Sequence, residues 1–432
     1  VRRFVALVAF ALTTGAPALA APATTIGDAG GAPVYVRADA AIPLVGVQLV
    51  VRGGLDRETT AQNGVAALVA ETILRTPVSA SGSTPVALRD AVATRGGALS
   101  YSVAARYVRF YLEAPPDVLG AIAPLVARAL AKPALDAATL TAARNGLGER
   151  IADEQKNPVL VGLDAVRTSY YRDAAALPEL GTPASLSALR PDDVRAFHDR
   201  WYVRGNAFVA AVGRTGSQSE ATARALVAAL PAGTAPGAPA LATRPFGTEP
   251  RRIVTRRDVF APYVVLGFAA PALGDPDFAP ALVMRSLLAH VFDQNATTTP
   301  PAVRRTVGAI YGYDVAPAQF ALWINGARLD PSTGLAAIDA LVKDASSKPL
   351  TQPVLDRYKE SARGEWQLES VTLEERAWSI GNAVALGLDP NAVDTIPAAI
   401  DRVTAADVQR VAKRWFAHFD VALVLPRGGT GG

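Results

Sequence analysis

The chain has 432 residues, half of them apolar, with 43 basic against 39 acidic side chains (formal net charge +4) and no cysteine. The near balance of charge, without any run of Lys or Arg, excludes an electrostatic nucleic-acid footprint. The missing cysteine excludes disulfides, thiolate metal sites and a lipidated cysteine, so a large apolar core has to carry the stability.

In chain order, Arg2 and Arg3 precede the apolar run Phe4 to Leu12 and an Ala18-Leu19-Ala20 site. This pattern predicts a secretory signal peptide over residues 1–20, with an uncleaved anchor as the alternative. No later segment offers the roughly 18 uninterrupted apolar residues of a membrane span. The expected location is therefore the periplasm or the exterior.

Pro43 to Val50 reads as an apolar strand, followed by a Gly-containing turn and a helix within Gly64 to Thr76. In that helix Val65, Leu68, Val69, Thr72 and Ile73 share one stripe. Gly96-Gly97 predicts a turn into a strand Ala98 to Val103, and Arg106, Tyr107 and Arg109 read as ordinary sheet-face residues of the next strand. A helix Leu189 to Tyr202 then precedes the strand Ala207 to Val212, and Gly213 to Ser217 reads as a turn rather than a phosphate loop. Ala232 to Pro250, rich in Pro, Gly, Ala and Thr, reads as an interdomain linker.

Beyond the linker the pattern repeats. Pro262 to Phe268 and the helix around Ala281-Leu282-Val283 mirror the start of the first half. Val403 to Phe416, followed by Val421 to Leu425, mirrors Leu189 to Val212, and both copies carry Arg-Trp-aromatic (Arg200-Trp201-Tyr202 and Arg414-Trp415-Phe416). The period of about 214 residues, the separation of Trp201 and Trp415, far exceeds the roughly 20 to 50 residues of solenoid repeats. Two homologous domains are predicted, residues 21–231 and 251–432, joined by 232–250. The expected fold class is α+β, each domain a mainly antiparallel sheet covered by helices on one face.

The order of elements, the duplication and several local phrases resemble the pitrilysin/insulinase family of zinc peptidases over nearly the whole mature chain. The resemblance implies the fold of the mitochondrial processing peptidases. Active members carry H-x-x-E-H on an early helix, with two histidines binding zinc and a glutamate as general base. The family phrase G-[IV]-A-H-x-x-E-H places these three on Ala67, Glu71 and Ala70, in the order first histidine, second histidine, base. All three are changed, and alanine has no lone pair to donate. The third ligand of the family, a later glutamate, falls at Glu149 or Arg150. His198, His290 and His418 are the only histidines, none within a helical turn of another. No metal is expected in this chain. The family strand N-A-x-T, which pairs with substrate, has Ser100 at its asparagine position.

The second half keeps more. The family phrase L-R-E-x-x-G-L-A-Y-S supplies an Arg and a Tyr that hold substrate in the active site of the other half. It matches Arg304 and Tyr311 around Gly308, with Arg305 and Tyr313 as the alternatives if the register slips. A guanidinium and a phenol can stabilise a developing oxyanion, whereas residue type alone would make them a helix-end cation and a rim tyrosine. In bacterial relatives two half-size chains can divide these roles. The resemblance therefore implies a non-catalytic subunit that closes a peptide chamber over substrates, with zinc held by a homologous partner subunit. The alternative is an inactive peptide-binding or structural homologue that works without such a partner. An autonomous hydrolase of another kind is disfavoured, since there is no G-x-S-x-G elbow, cysteine nucleophile or Walker loop.

Overall fold

The computed structural model describes residues 22–28, 30–79, 84–290, 307–325 and 331–427. The segment 1–20, where a signal peptide was expected, and the residues Arg304 and Arg305 lie outside the described residues. In the first half the strands are β1 (Thr24–Asp28), β2 (Pro33–Ala38), β3 (Val45–Val51), β4 (Pro77–Val78), β5 (Val86–Ala87), β6 (Ala98–Val103), β7 (Val108–Ala114) and β8 (Ala207–Gly213). Its helices are α1 (Val65–Arg75), α2 (Leu88–Ala93), α3 (Leu119–Ala131), α4 (Ala137–Glu154), α5 (Pro158–Tyr170), α6 (Pro183–Ala188), α7 (Pro191–Trp201) and α8 (Ser217–Ala228). The second half has β9 (Arg252–Arg257), β10 (Tyr263–Ala270), β11 (Val307–Gly312), β12 (Ala318–Asn325) and β13 (Phe419–Pro426). Its helices are α9 (Phe278–Ala289), α10 (Pro331–Ser347), α11 (Gln352–Leu368), α12 (Leu373–Ala385), α13 (Ile396–Asp401) and α14 (Ala405–Trp415).

The sheets are ordered β1-β2-β8-β3-β7-β6 and β9-β13-β10-β12-β11. Strand for strand the second repeats the first without β1, and even the single parallel pairing recurs, β2 with β8 and β13 with β9. All other pairings within the two sheets are antiparallel. β3 and β8 are buried along their full lengths because both faces of the sheet are covered. At the sheet margin, β9 alternates exposed and half-buried residues.

One face of each sheet is covered by helices of its own half, as expected. The other face is covered by a helix from the opposite half. Leu373, Ala377, Ile380 and Val384 of α12 form a helical stripe on Val50, Tyr107, Tyr111, Phe208, Ala210 and Val212 of the first sheet. Reciprocally, α5 of the first half lays Val166 on Val265, Ala321 and Ala422 of the second sheet. The close approach depends on glycines. A Cβ on Gly162 of α5 would lie 2.3 Å from Val265 Cγ2, and one on Gly267 of β10 would lie 2.7 Å from Val166 Cβ. Tyr107 donates its hydroxyl to Asp314, and Ser169 donates to Asp420 (2.6 Å), tying the halves at two further points. The predicted linker carries no helix or ladder strand, only an isolated bridge between Thr243 and Tyr171. It is strapped to the first half by Arg57, which donates to Pro236 O and Gly237 O, and by Arg106, which donates to Pro239 O.

Candidate functional site

Gly64, at φ +89, starts α1 in the left-handed region, where a side chain would also press on Gly181. Its first amides are met by the buried carboxylate of Glu58, whose Oε2 accepts from Gly64 N (2.8 Å) and Oε1 from Ala66 N (3.0 Å). Every residue from Val65 to Leu74 is buried, so the apolar stripe read from the sequence widens to the whole circumference. α4, α7 and β6 surround it.

Burial raises the Glu58 carboxyl to about 7 and the neighbouring Asp56, beside Arg57 and Arg106, to about 6. Both groups hold more protons folded than unfolded, so their contribution to stability is complete at low pH and is lost as pH rises from about 4 to about 7. Each pKa unit is worth about 1.4 kcal/mol, so together they weaken folding by a few kcal/mol over that window. Urea unfolding at pH 5 and pH 7 measures the slope, and Asp56→Asn is expected to flatten it.

The positions matched to the erased zinc ligands are packed. Ala67 and Ala70 have no exposure and Glu71 has 3%. Glu71 Oε1 accepts from Arg75 Nε (2.5 Å), and Arg89 lies 3.7 Å away. Gly146 of α4 faces this pair; a Cβ there would lie 2.9 Å from Glu71 Oε1. One turn on, Arg150 sets its guanidinium 4.9 Å from the ring centre of Tyr101, on β6. Tyr101 lies within electrostatic reach of both Glu71 and Arg150, and burial first, then Glu71, raises its phenol pKa. Glu149 points to solvent. Of the two candidates for the third-ligand position, the one that turns inward is Arg150, a cation where the resemblance expects a carboxylate. An arginine-bound carboxylate, two alanines and a second guanidinium are a donor set unsuited to zinc. Among the described residues, no group of three His, Cys, Asp or Glu could hold a metal ion. His198 is buried and bonded to Leu130 O (2.8 Å), His290 is bonded to Ser286 O (2.8 Å), and His418 is exposed.

β6 is the open edge of the first sheet, entered through Gly96 at φ +81. Ser100 is exposed on it, while Leu99 and Tyr101 pack toward the core. On β11, the matching edge of the second sheet, Tyr311 is buried among Phe278, Phe320 and Tyr313. Its hydroxyl donates to Pro271 O (2.5 Å), and burial raises its pKa well above the usual tyrosine value, so it is a neutral donor. Tyr313 donates to Glu369 (3.1 Å).

Tyr311 and Tyr313 also stand on the wall of a cavity of about 720 Å³ between the halves, bounded by the first sheet, α12 and the end of α11. Here the reading of Arg106, Tyr107 and Arg109 as ordinary sheet residues needs correction. Arg106 reaches Asp56 and the linker, Tyr107 binds Asp314, and Arg109 stacks 4.4 Å over Trp378 of α12. All three join segments distant in sequence. Arg106 and Tyr107 lie in the turn between β6 and β7 rather than on the strand, and for Arg109, which is on β7, alternation gives the face but nothing local in the sequence names what covers it.

Residues 188–359 match the family described as "Peptidase M16 inactive domain". The match runs from the end of α6 into α11 and includes Arg304 and Tyr311; α1 lies outside it. No curated protein matches the chain in sequence. Among solved structures, the chain is similar to a peptidase M16 inactive domain from Pseudomonas fluorescens, at 17% identity and TM-score 0.78 over 95% of this chain and 100% of that one. It is similar to a protease from Helicobacter pylori at 16% identity and TM-score 0.81 (94% and 100%). A third similar chain comes from Complex III2 from Candida albicans, Inz-5 bound, at 16% identity and TM-score 0.74 (93% and 95%). At these identities the likeness is one of fold.

Proposed function

We propose that this chain, an M16 inactive-domain homologue with an M16-like fold throughout its described residues, is the non-catalytic subunit of an exported two-chain zinc endopeptidase. The observation that carries the reading is the filled zinc position: Glu71 is held by Arg75, and Arg150 stands on Tyr101 beside it. Hydrolysis then belongs to a homologous zinc-bearing partner, where the metal lowers the pKa of its water. This chain closes the peptide chamber and supplies Arg304 and Tyr311. In the free chain the Tyr311 hydroxyl is engaged by Pro271 O, so substrate contact exchanges that bond for one to a peptide carbonyl. Tyr313, whose hydroxyl faces Glu369, is the neighbouring alternative.

The test mixes the purified chain with its zinc-bearing partner and measures peptide cleavage. Arg304→Ala is expected to lower kcat/KM of the mixture by at least about 10-fold, the scale of one lost transition-state contact. Tyr311→Phe is expected to do the same while costing about 1 kcal/mol of stability for the lost buried hydrogen bond. Full activity in both variants would remove them from the reading. The second reading, an inactive peptide-binding or structural homologue, is supported by Ser100 at the substrate-pairing strand and by the likeness to a Complex III2 chain. A stable, peptide-binding homodimer without any zinc-bearing partner would favour it.

A further inference from the structure

The second sheet lacks a strand that the first possesses. In the first half β1 lies antiparallel on the outer side of β2, whereas on the outer side of β9, the strand that repeats β2, no strand follows among the described residues. The correspondence holds residue by residue. Val34 pairs with Val209 and Val254 with Leu423, and these two partners stand 214 residues apart, one repeat period. Val34 has no exposure, while Val254 has 55%. The backbone of β9 shows which groups are open. Val421 N donates to Arg251 O (2.9 Å), so Arg251, Ile253 and Thr255 turn their amide groups to β13, and Arg252, Val254 and Arg256 turn theirs away from it. Of the outward carbonyls, that of Arg256 accepts from the guanidinium of Arg257 (3.1 Å), an exposed bond that an incoming strand exchanges for its own.

The side chains beside this open ladder decide what fits it. Arg252, Val254 and Arg256 are exposed on one face of β9, and Ile253, Thr255 and Arg257 are half-buried on the other. Arg251 is neutralised by Asp420 (2.6 Å), whereas Arg252 has no carboxylate partner among the described residues. The nearest acids in the chain, Glu249 and Asp258, lie outside the strand. Charged residues on an edge strand oppose indiscriminate pairing. They also select. A second copy of this chain is a poor occupant: paired antiparallel about Val254, the register of fullest overlap, its Arg256 would stand opposite Arg252, and like charges directly opposite destabilise a ladder. A strand that alternates acid, apolar, acid meets the same three positions with opposite charge at both ends and an apolar contact on Val254.

We propose that the open edge of β9 is a docking site for an extended acidic segment of a partner protein, which adds to the second sheet as β1 adds to the first. The segment runs antiparallel to β9, exchanges backbone bonds with Arg252 and Val254, and sets its carboxylates against Arg252 and Arg256. The surface lies on the outer margin of the second half and uses neither Tyr311 nor Arg304. A failure here therefore leaves the function proposed above standing.

The test is fluorescence anisotropy on the full chain at low salt with the labelled peptide Ser-Glu-Thr-Val-Thr-Glu-Ser. Two controls accompany it, one with lysine for both glutamates and one with proline for the valine. The acidic peptide is expected to bind, and each control to bind at least about 10-fold more weakly. Val254→Pro removes an N–H that faces away from β13 and leaves the ladder to β13 and every charge in place, so it is expected to lower binding by a similar factor at a retained melting temperature. Arg252→Glu is expected to erase the preference for the acidic peptide. Absence of binding by the acidic peptide at millimolar concentration overturns the proposal and leaves the arginines as a guard on the edge. Equal binding of the acidic and lysine peptides also overturns it. Undiminished binding by the proline peptide, or by Val254→Pro, overturns it too, by reducing the contact to attraction between charges. Should Val254→Pro fail to fold, the proline peptide on the parent chain decides.

Discussion

Rebuilding the zinc motif, by Ala67→His, Ala70→Glu and Glu71→His together, is expected to give a less stable protein that still binds no zinc. Positions 67 and 70 have no exposure, and α4 comes close enough that Gly146 faces Glu71 directly. Adding an imidazole and a carboxylate to such sites overpacks them at about 1–3 kcal/mol each. The third change removes the carboxylate that Arg75 and Arg89 face, leaving two guanidiniums beside a site meant for a dication. Arg150 supplies a third positive charge where a carboxylate is needed. Adding Arg150→Glu reverses that charge and provides the third ligand, so only the fourfold variant is expected to retain metal. Elemental analysis after dialysis against micromolar zinc checks this; one zinc per chain in the triple variant would mean that Arg150 does not block the site.

The same helix shows what a sequence conveys and what it withholds. That Ala67, Ala70 and Glu71 cannot form a zinc site is a statement about donor atoms, and donor atoms are written in the sequence. What replaced the metal is a matter of neighbours. Arg150 and Glu149 are adjacent in the chain, and only the packing of Gly146 against α1 decides which of them turns inward. The strands were legible for a similar reason. Runs such as Val45 to Val51 have one use, and their recurrence in Tyr263 to Ala270 announces the repeated sheet. Tyr311 was legible as a residue of interest, but its bond to Pro271, 40 residues earlier, depends on how the loop before α9 returns to β11. The least legible feature was the exchange of α5 and α12. Their apolar residues declare that a face must be buried, and that requirement is met equally well by either sheet.

That exchange has a large consequence for the halves taken separately. Residues 22–247 produced alone are expected to aggregate or remain unfolded, and to recover solubility when the segment 248–427 is produced in the same cell. Without α12, the first sheet exposes Tyr107, Tyr111, Phe208 and Val212, all buried in the whole chain, and α5 projects without the sheet that covers it. Burying a large apolar side chain is worth about 1.5–3 kcal/mol, so losing cover over several of them removes on the order of 10 kcal/mol, comparable with the whole stability of a typical domain. The point variant Gly162→Val tests the same interface in the intact chain. Its branched side chain must occupy space where even a Cβ would lie 2.3 Å from Val265, whose position is fixed by two neighbouring strands. A loss of about 3 kcal/mol or more is expected in urea unfolding, with the transition broadened as the second sheet loses its outer helix first. A soluble, cooperatively folding first half would contradict the need for exchange, because it would show that each sheet is stable with one face bare. One of the exchanged helices, α12, also places Trp378 beneath Arg109 at the cavity between the halves, so the cover of the first sheet and that wall of the cavity are set by the same helix.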